Sequence, residues 1–344
     1  MADRYAEILV VDLLGGIGDL LMLLPAIHGL ARRNPYSRLR VLTHEPGAEL
    51  ARVDPAVTEV RTPRHGRPGA ERAAVVEALA ARRPDLAVTT TRYDGIPDLL
   101  LAAAARCVTD LWRGPPPDEP VGARYLRLLH AEGLLTRADL DARPRVHLPA
   151  AARAAGETSV GRLVAAADRP AAPPVVLVTD AGMAVKRWPD ASWRTLAGRL
   201  AADGHPVLAV GAGDDPPGVP LPRGDLPTLA AQFAAVARRG GVVVGPDTGP
   251  LRLAAAAGAA TVGLFGPTDA RRYGVGGGVD LQGLPGCPHR RATAITEQPC
   301  WWEAHCPLDP TGPACLADLG VKLVTDAVRA ATRQSSPVWR PPPG

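Results

Sequence analysis

The stretch ILVVDLLGGIGDLLMLLPA, residues 8–26, decides the fold. Its first part, Ile8 to Leu13, is a compact apolar run with one acid, Asp12, at its end. Gly15, Gly16 and Gly18 follow at once, and from Leu20 to Ala31 apolar residues recur at helical spacing. Strand, glycine turn and helix in that order open a parallel α/β unit. Glycines directly after a first strand let the backbone approach a ligand or take a positive φ.

Outward from this stretch the alternation continues. Strands are expected at Leu39 to Thr43, Val57 to Val60 and Leu86 to Thr90. Helices are expected at Ala70 to Ala81 and Arg124 to Gly133, and Leu99 to Cys107 reads as either helix or strand. Residues 149–174 are rich in Ala, Pro and Arg, with one helical stretch near Val160 to Ala167, and the interdomain linker is placed within this region. The pattern then restarts with strands at Val175 to Thr179, Val207 to Val210, Val242 to Gly245 and Thr261 to Phe265. Helices are read at Ser192 to Ala202, Thr228 to Arg238, Leu251 to Ala257 and Val321 to Thr332, and residues 274–315 as irregular. The fold class is therefore α/β, with parallel sheets wrapped on both faces.

At 344 residues the chain exceeds one ordinary core, so two domains are expected. Residues 1–160 and 161–333 are taken as two Rossmann-like domains, and 334–344 as a Pro-rich disordered tail. Hydrophobic residues make up 46% and aromatics only 4%, so Ala, Val and Leu must fill both cores. The net charge of +4 is spread without a long basic block or aromatic-basic interleaving, which argues against a nucleic-acid partner. No run of apolar residues is long enough to span a membrane, which leaves only peripheral membrane contact open. Met1 to Glu7 lacks the order of a signal peptide, so a soluble cytoplasmic protein is expected. Cys107 stands alone, whereas Cys287, Cys300, Cys306 and Cys315 crowd together with spacing C-x12-C-x5-C-x8-C. That is not a tight zinc-ribbon spacing; separate thiols, a bound metal and a disulfide stand as alternatives, with separate thiols favoured.

Four segments carry chemistry. Gly16-Ile17-Gly18 begins like a dinucleotide fingerprint, but Leu21 holds the third glycine position, and Thr43 and His44 stand where an acid is expected. A nicotinamide or flavin site is thus disfavoured. Asp19 sits at a helix N-terminus, where the dipole favours a carboxylate, so helix capping and catalysis both stand. Lys186-Arg187-Trp188-Pro189 lies between a strand end and a helix start, where two cations could clamp a phosphate, or form a solvated basic loop with Trp188 as packing anchor. Asp247-Thr248-Gly249-Pro250 and Gly266-Pro267-Thr268-Asp269 also follow strands, and helix capping and a Pro turn are their plain alternatives. In open α/β sheets ligands bind at that edge, and two such sheets facing each other would form a cleft.

Together these segments resemble glycosyltransferase family 9, the ADP-heptose:lipopolysaccharide heptosyltransferase family. The likeness runs through Gly18-Asp19, Pro25, Leu30 and Pro35; Lys186, Trp188, Pro189 and Trp193; Asp247 to Pro250 with Ala254 to Gly258; Phe265 to Thr268; and Cys300, Cys306 and Cys315-Leu316. The resemblance implies a GT-B fold with acceptor in the N-terminal domain and donor in the C-terminal one. It implies inverting, metal-independent transfer of a sugar from a nucleotide-diphosphate donor such as ADP-heptose, as a substrate and with no cofactor, to an acceptor hydroxyl. It maps the general base to Asp19, with Gly16 and Gly18 in the acceptor-side turn. Lys186, with Arg187, is expected at the diphosphate, Asp247 at the donor sugar, and Thr248 and Gly249 near the phosphates. Gly266, Thr268 and Arg252 complete the expected donor side. Arg252 departs from the family, which usually has His there, and so leaves the donor sugar open. The acceptor is a glycolipid or a small molecule. A GT-B-fold binding protein without transfer activity is the alternative.

Overall fold

A computed structural model of the chain describes residues 5–335, apart from His65, Pro115, 168–171 and 212–214. It divides into two compact units, one from the chain up to Pro115 with Val121–His147, the other from Pro116–Pro120 and Leu148 onward.

The first unit runs β1 (Glu7–Asp12), α1 (Ile17–Arg33), β2 (Arg38–Thr43), α2 (Ala48–Val53), β3 (Glu59–Arg61), α3 (Ala70–Ala81), β4 (Leu86–Thr89), α4 (Ile96–Ala103), β5 (Arg106–Val108) and α5 (Val121–Ala131). Its strands form one parallel sheet in the order β3-β2-β1-β4-β5. Leu9 and Val11 pack with Val75, Ala78, Ile96 and Leu100 on the α3 and α4 side. Because side chains alternate along a strand, Ile8 and Val10 point to the other face, and all four are buried. An all-apolar strand is what a parallel sheet covered on both faces requires. The segment 99–107 resolves its ambiguity by being both elements: α4 ends at Ala103 and β5 begins at Arg106.

The second unit runs α6 (Ala150–Ala165), β6 (Val175–Val178), α7 (Asp190–Ala202), β7 (Val207–Val210), β8 (Val219–Pro220), α8 (Leu226–Arg238), β9 (Val242–Pro246), α9 (Gly249–Ala256), β10 (Ala260–Phe265), α10 (Ala270–Tyr273), β11 (Gly278–Gln282), α11 (Ala314–Ala317) and α12 (Val321–Ser335). The sheet is again parallel, in the order β11-β10-β9-β6-β7-β8. Trp188 and Trp193 meet edge to face, centroids 4.8 Å apart, inside a core shared with Leu196, Val244, Leu264 and Val328.

Three segments take a form that the sequence did not announce. The segment 149–174 is largely α6, whose Gly156 lies so close to Ala231 of α8 that a Cβ there would stand 2.6 Å from backbone atoms. The position 160/161 therefore falls inside a helix docked on the second unit; residues 168–171 of the expected linker lie outside the described residues. Within the segment read as irregular, β11 pairs with β10, and Val279 and Leu281 alternate onto the core. Lastly, α12 continues through Ser335, taking in the first two residues of the expected tail; residues 336–344 lie outside the described residues.

In each sheet the chain leaves a central strand in one direction and resumes on its other side. The reversal falls between β1 and β4 in the first unit and between β6 and β9 in the second. At such a switch point the flanking loops diverge and leave a crevice outside the carboxyl ends of the strands, the common ligand position in open α/β sheets.

Candidate functional site

In the second unit the β6 and β9 loops carry the chemistry of the switch point. Asp247 follows β9 directly and is 5% exposed. Lys186 closes a single 3-10 turn, Ala184–Lys186, in the loop between β6 and α7. Its Nζ donates to Asp247 Oδ2 at 3.0 Å and to the Asp247 carbonyl at 3.2 Å. Arg252, on α9, donates from Nη2 to Asp247 Oδ1 at 2.7 Å and to the Tyr273 carbonyl. Burial alone would raise the Asp247 carboxyl; the charges of Lys186 and Arg252 override it and hold the group at about 2. Asp247 is thus a fixed anion with one cation on each oxygen.

The neighbouring residues distribute differently from the expected clamp. Arg187 does not join Lys186: it is exposed, pairs with Asp180 at 3.3 Å and donates to the Ala181 carbonyl at 3.2 Å. Trp188 is the packing anchor, its Nε1 donating to the Leu319 carbonyl at 3.0 Å. Thr248 caps α9 by backbone position, and its hydroxyl donates to the Pro246 carbonyl at 3.2 Å. Gly249 begins the helix, leaving first-turn amides for an anion. Gly266 serves close packing, since a Cβ there would meet Leu316 at 2.7 Å. Thr268 is 1% exposed, and its hydroxyl has no hydrogen-bond partner.

Sequence reasoning missed two side chains here. Trp301 lies under Lys186, with Nζ 5.2 Å from the ring centroid. In a chain with 4% aromatics, the pair Trp301-Trp302 was the available signal. Asp280 on β11 is pushed up by burial, with the Asp247 charge adding to the effect and Arg252 opposing it. It was hidden because β11 itself was.

Behind Trp301, Cys287, Cys300, Cys306 and Cys315 line one pocket with His289 and Val185. All are free thiols, and burial pushes Cys315 up to about 12. Among the described residues, no group of three or more His, Cys, Asp or Glu is placed to hold a metal ion.

In the first unit Asp19 is half-buried in the opening turn of α1, and its Oδ2 accepts from the Gly16 amide at 3.2 Å. Gly16 must be glycine for this approach, because a Cβ would lie 2.7 Å from that oxygen. Gly15 turns the chain with φ 99°, and Gly18 lies within the first turn of the helix. The capping contact is thus present, and it holds the carboxylate against the glycine turn.

Beneath it is a polar cluster that sequence reasoning left unread. Asp12, 2% exposed, accepts from the Thr90 hydroxyl at 2.6 Å. The Leu13 amide donates to Thr91 Oγ1 at 2.9 Å, Thr89 Oγ1 donates to the Val11 carbonyl at 3.0 Å, and the Tyr93 hydroxyl donates to the Leu13 carbonyl. Burial and the charge of Asp19 push Asp12 up to about 7, against the Thr90 hydrogen bond.

The sequence model of glycosyltransferase family 9 (heptosyltransferase) matches residues 221–282, the span holding Asp247, Thr248, Gly249, Arg252, Gly266 and Thr268. Among solved structures, the glycosyl transferase family 9 protein of Veillonella parvula DSM 2008 is similar over 96% of this chain and 99% of its own, with TM-score 0.74 and 14% identity. The E. coli ADP-heptose LPS heptosyltransferase II follows at 95% and 99% coverage, TM-score 0.66 and 16% identity. An E. coli heptosyltransferase solved with ADP gives 94% and 99% coverage, TM-score 0.62 and 18% identity. At these identities the structural likeness establishes the fold, GT-B with two Rossmann-like domains. No curated protein sequence matches the chain. Among the described residues, no helix is long and apolar enough to cross a membrane.

Proposed function

We propose that the chain is a glycosyltransferase of family 9 that moves a heptose from a nucleotide-diphosphate donor such as ADP-heptose to an acceptor hydroxyl, with inversion and without a metal ion; the family model over residues 221–282 and the shared fold support this reading. The observation that carries the reading is Asp247, held ionised between Lys186 and Arg252 at the switch point of the second sheet. A buried anion that cannot be protonated near neutral pH accepts hydrogen bonds from sugar hydroxyls through its remaining lone pairs. Lys186 has three N–H donors, of which two go to Asp247, so one remains for a phosphate oxygen. The first-turn amides of α9 supply further positive potential. As the glycosidic bond breaks, the diphosphate gains charge, and these groups stabilise it where it develops.

On the acceptor side Asp19 is the general base in this reading. A hydroxyl is a poor nucleophile until its proton is taken, and a carboxylate held by the Gly16 amide is oriented for that transfer. Attack on the anomeric carbon opposite the departing diphosphate then inverts the centre in one displacement. The donor class is supported by the relatives whose descriptions name ADP-heptose and ADP. The acceptor is a hydroxyl on a glycolipid or on a small molecule.

The test is a donor and acceptor screen read by mass, with Asp19→Asn in parallel. Product from ADP-heptose with the native chain, and none with Asp19→Asn, is the expected result. Product formed equally by Asp19→Asn overturns the assignment of the base. Nucleotide binding without product across the screen would point to a binding protein instead.

A further inference from the structure

We propose that Cys300 and Cys306 are a redox pair: on oxidation they join as a disulfide, and that bond controls how Trp301 seats Lys186. The control rests on the reading of Lys186 as a phosphate ligand; the disulfide itself does not.

Cys300 and Cys306 line the same cavity, with Cys287, Cys315 and His289. They reach it from the two sides of one tight turn. The Ala304 amide donates to the Cys300 carbonyl at 3.1 Å, and Ala304 then takes φ 56°. A left-handed residue after a helical turn reverses the chain. Here the reversal returns Cys306 to the cavity that Cys300 lines. Burial raises the Cys300 thiol, and of the other thiols Cys306 acts on it most strongly, an effect that grows as separation shrinks. Cys306 is half-buried, so a small reagent reaches it, whereas Cys300 is buried.

Packing alone needs no more than one small apolar side chain at each place. It does not explain several thiols drawn from separate turns onto one cavity beside a cation. Arg290 donates to the carbonyls of Gly266 at 2.9 Å, Gly283 at 2.7 Å and Pro285 at 3.1 Å. Carbonyls do not neutralise its charge. That charge favours the thiolate at Cys300 and Cys315, against the larger effect of burial.

The cavity is tied to the donor loop. Cys300 and Trp301 pack with Val185, the residue before Lys186, and with Met183 and Ala304. The Trp301 ring lies 5.2 Å from Lys186 Nζ. A new bond at Cys300 Sγ therefore shifts the ring next to it, and with the ring the seat of the ammonium.

The oxidant is a small disulfide of the glutathione class. The Cys306 thiolate attacks one of its sulfurs, which forms a mixed disulfide and releases one glutathione thiolate. Cys300 loses its proton and attacks Cys306 Sγ. The mixed disulfide breaks, and the second glutathione leaves as a thiolate. Two protein thiols give up two electrons and two protons, and one glutathione disulfide becomes two glutathione thiols. Excess glutathione runs the exchange backwards, so the pair stays reduced in a reducing compartment.

The experiment treats the full native chain with glutathione disulfide in the presence of a chelator. Free thiols are then alkylated, the chain is cut after Glu303, and the fragments are weighed without reduction. Glu303 lies between Cys300 and Cys306, so only a disulfide across it keeps the two fragments together. Linked fragments are expected, with fragmentation placing the bond at Cys300 and Cys306, and reduction is expected to release them. Cys306→Ser is expected to lose the link; should it fail to fold, fragmentation of the native linked fragments decides alone. Full alkylation at both positions, a mixed disulfide that goes no further, or a link that persists in Cys306→Ser overturns the pair. Thiols that resist oxidant and alkylation alike until the chain is denatured would reveal a bound metal, and overturn it too. Calorimetry with ADP reads the control. The oxidised chain is expected to bind about 3-fold more weakly than the reduced one, the size of a lost ring–ammonium contact. Equal affinity overturns the control. ADP binding to neither form would instead sink the reading of the donor site, while the linked fragments still report the pair.

Discussion

Arg252 reaches back from α9 to the residue that introduces that helix: its Nη2 lies 2.7 Å from Asp247 Oδ1, while Lys186 Nζ takes Oδ2 at 3.0 Å. The guanidinium, only 9% exposed, also donates to the Tyr273 carbonyl. Arg252 therefore acts first on Asp247 and holds the carboxylate in one orientation.

Removing Arg252 leaves a buried carboxylate with half its compensation. Arg252→Ala is expected to lower stability by about 3 kcal/mol, as when one partner of a buried ion pair is deleted. The double variant with Asp247→Asn should lose clearly less than the sum of the two single losses, because most of the cost is the unpaired charge. Urea unfolding measures both, and strictly additive losses would contradict the account.

The two buried acids give opposite dependences of stability on pH. Asp247 is held at about 2, below its unfolded value of 3.8, so its contribution is present above pH 4 and is lost as pH falls towards 2. Asp12 is raised to about 7, so between pH 4 and 7 the unfolded chain releases a proton that the folded chain keeps. Stability therefore falls across that window. Asp12→Asn should flatten the fall and leave the protein more stable than the native chain at pH 8, as read by unfolding at a series of pH values. An unchanged slope would show that Asp12 titrates like an exposed carboxyl.

Trp301 presents its ring to Lys186 at 5.2 Å. An interaction of this kind contributes about 0.5–1 kcal/mol at a partly exposed site. Trp301→Leu should weaken ADP binding by roughly 3-fold if that energy fixes the ammonium for a phosphate. Unaltered affinity in a folded variant would remove Trp301 from the donor site.

On the proposed reading, Lys186 and the α9 amides meet the charge of the leaving group. Transfer is accordingly expected to persist after exhaustive treatment with a chelator. Loss on chelation, restored by a divalent cation, would overturn metal independence.

The legible features were those written locally. The run Ile8 to Leu13 with its glycines announced a parallel sheet, and the restart at Val175 announced a second one. What was not legible depended on contacts between distant residues. Lys186 and Asp247 are 61 positions apart, and only the strand order makes them neighbours. Asp12 read as the polar end of a strand because Thr90, 78 positions away, is what makes it a buried acid. The glycines of residues 276–278 masked β11, which exists because β10 offers an edge, and Asp280 was lost with it. Arg252 was visible as a departure from the family pattern, but its engagement with Asp247 was not.

The most direct measurement is calorimetric titration of the native chain and Lys186→Ala with ADP. ADP is expected to bind the native chain, and Lys186→Ala to bind at least about 10-fold more weakly, as loss of a charge-assisted phosphate bond implies. No binding of ADP, UDP or GDP to the native chain, or equal ADP affinity in the variant, would contradict a nucleotide-diphosphate site at Lys186 and Asp247.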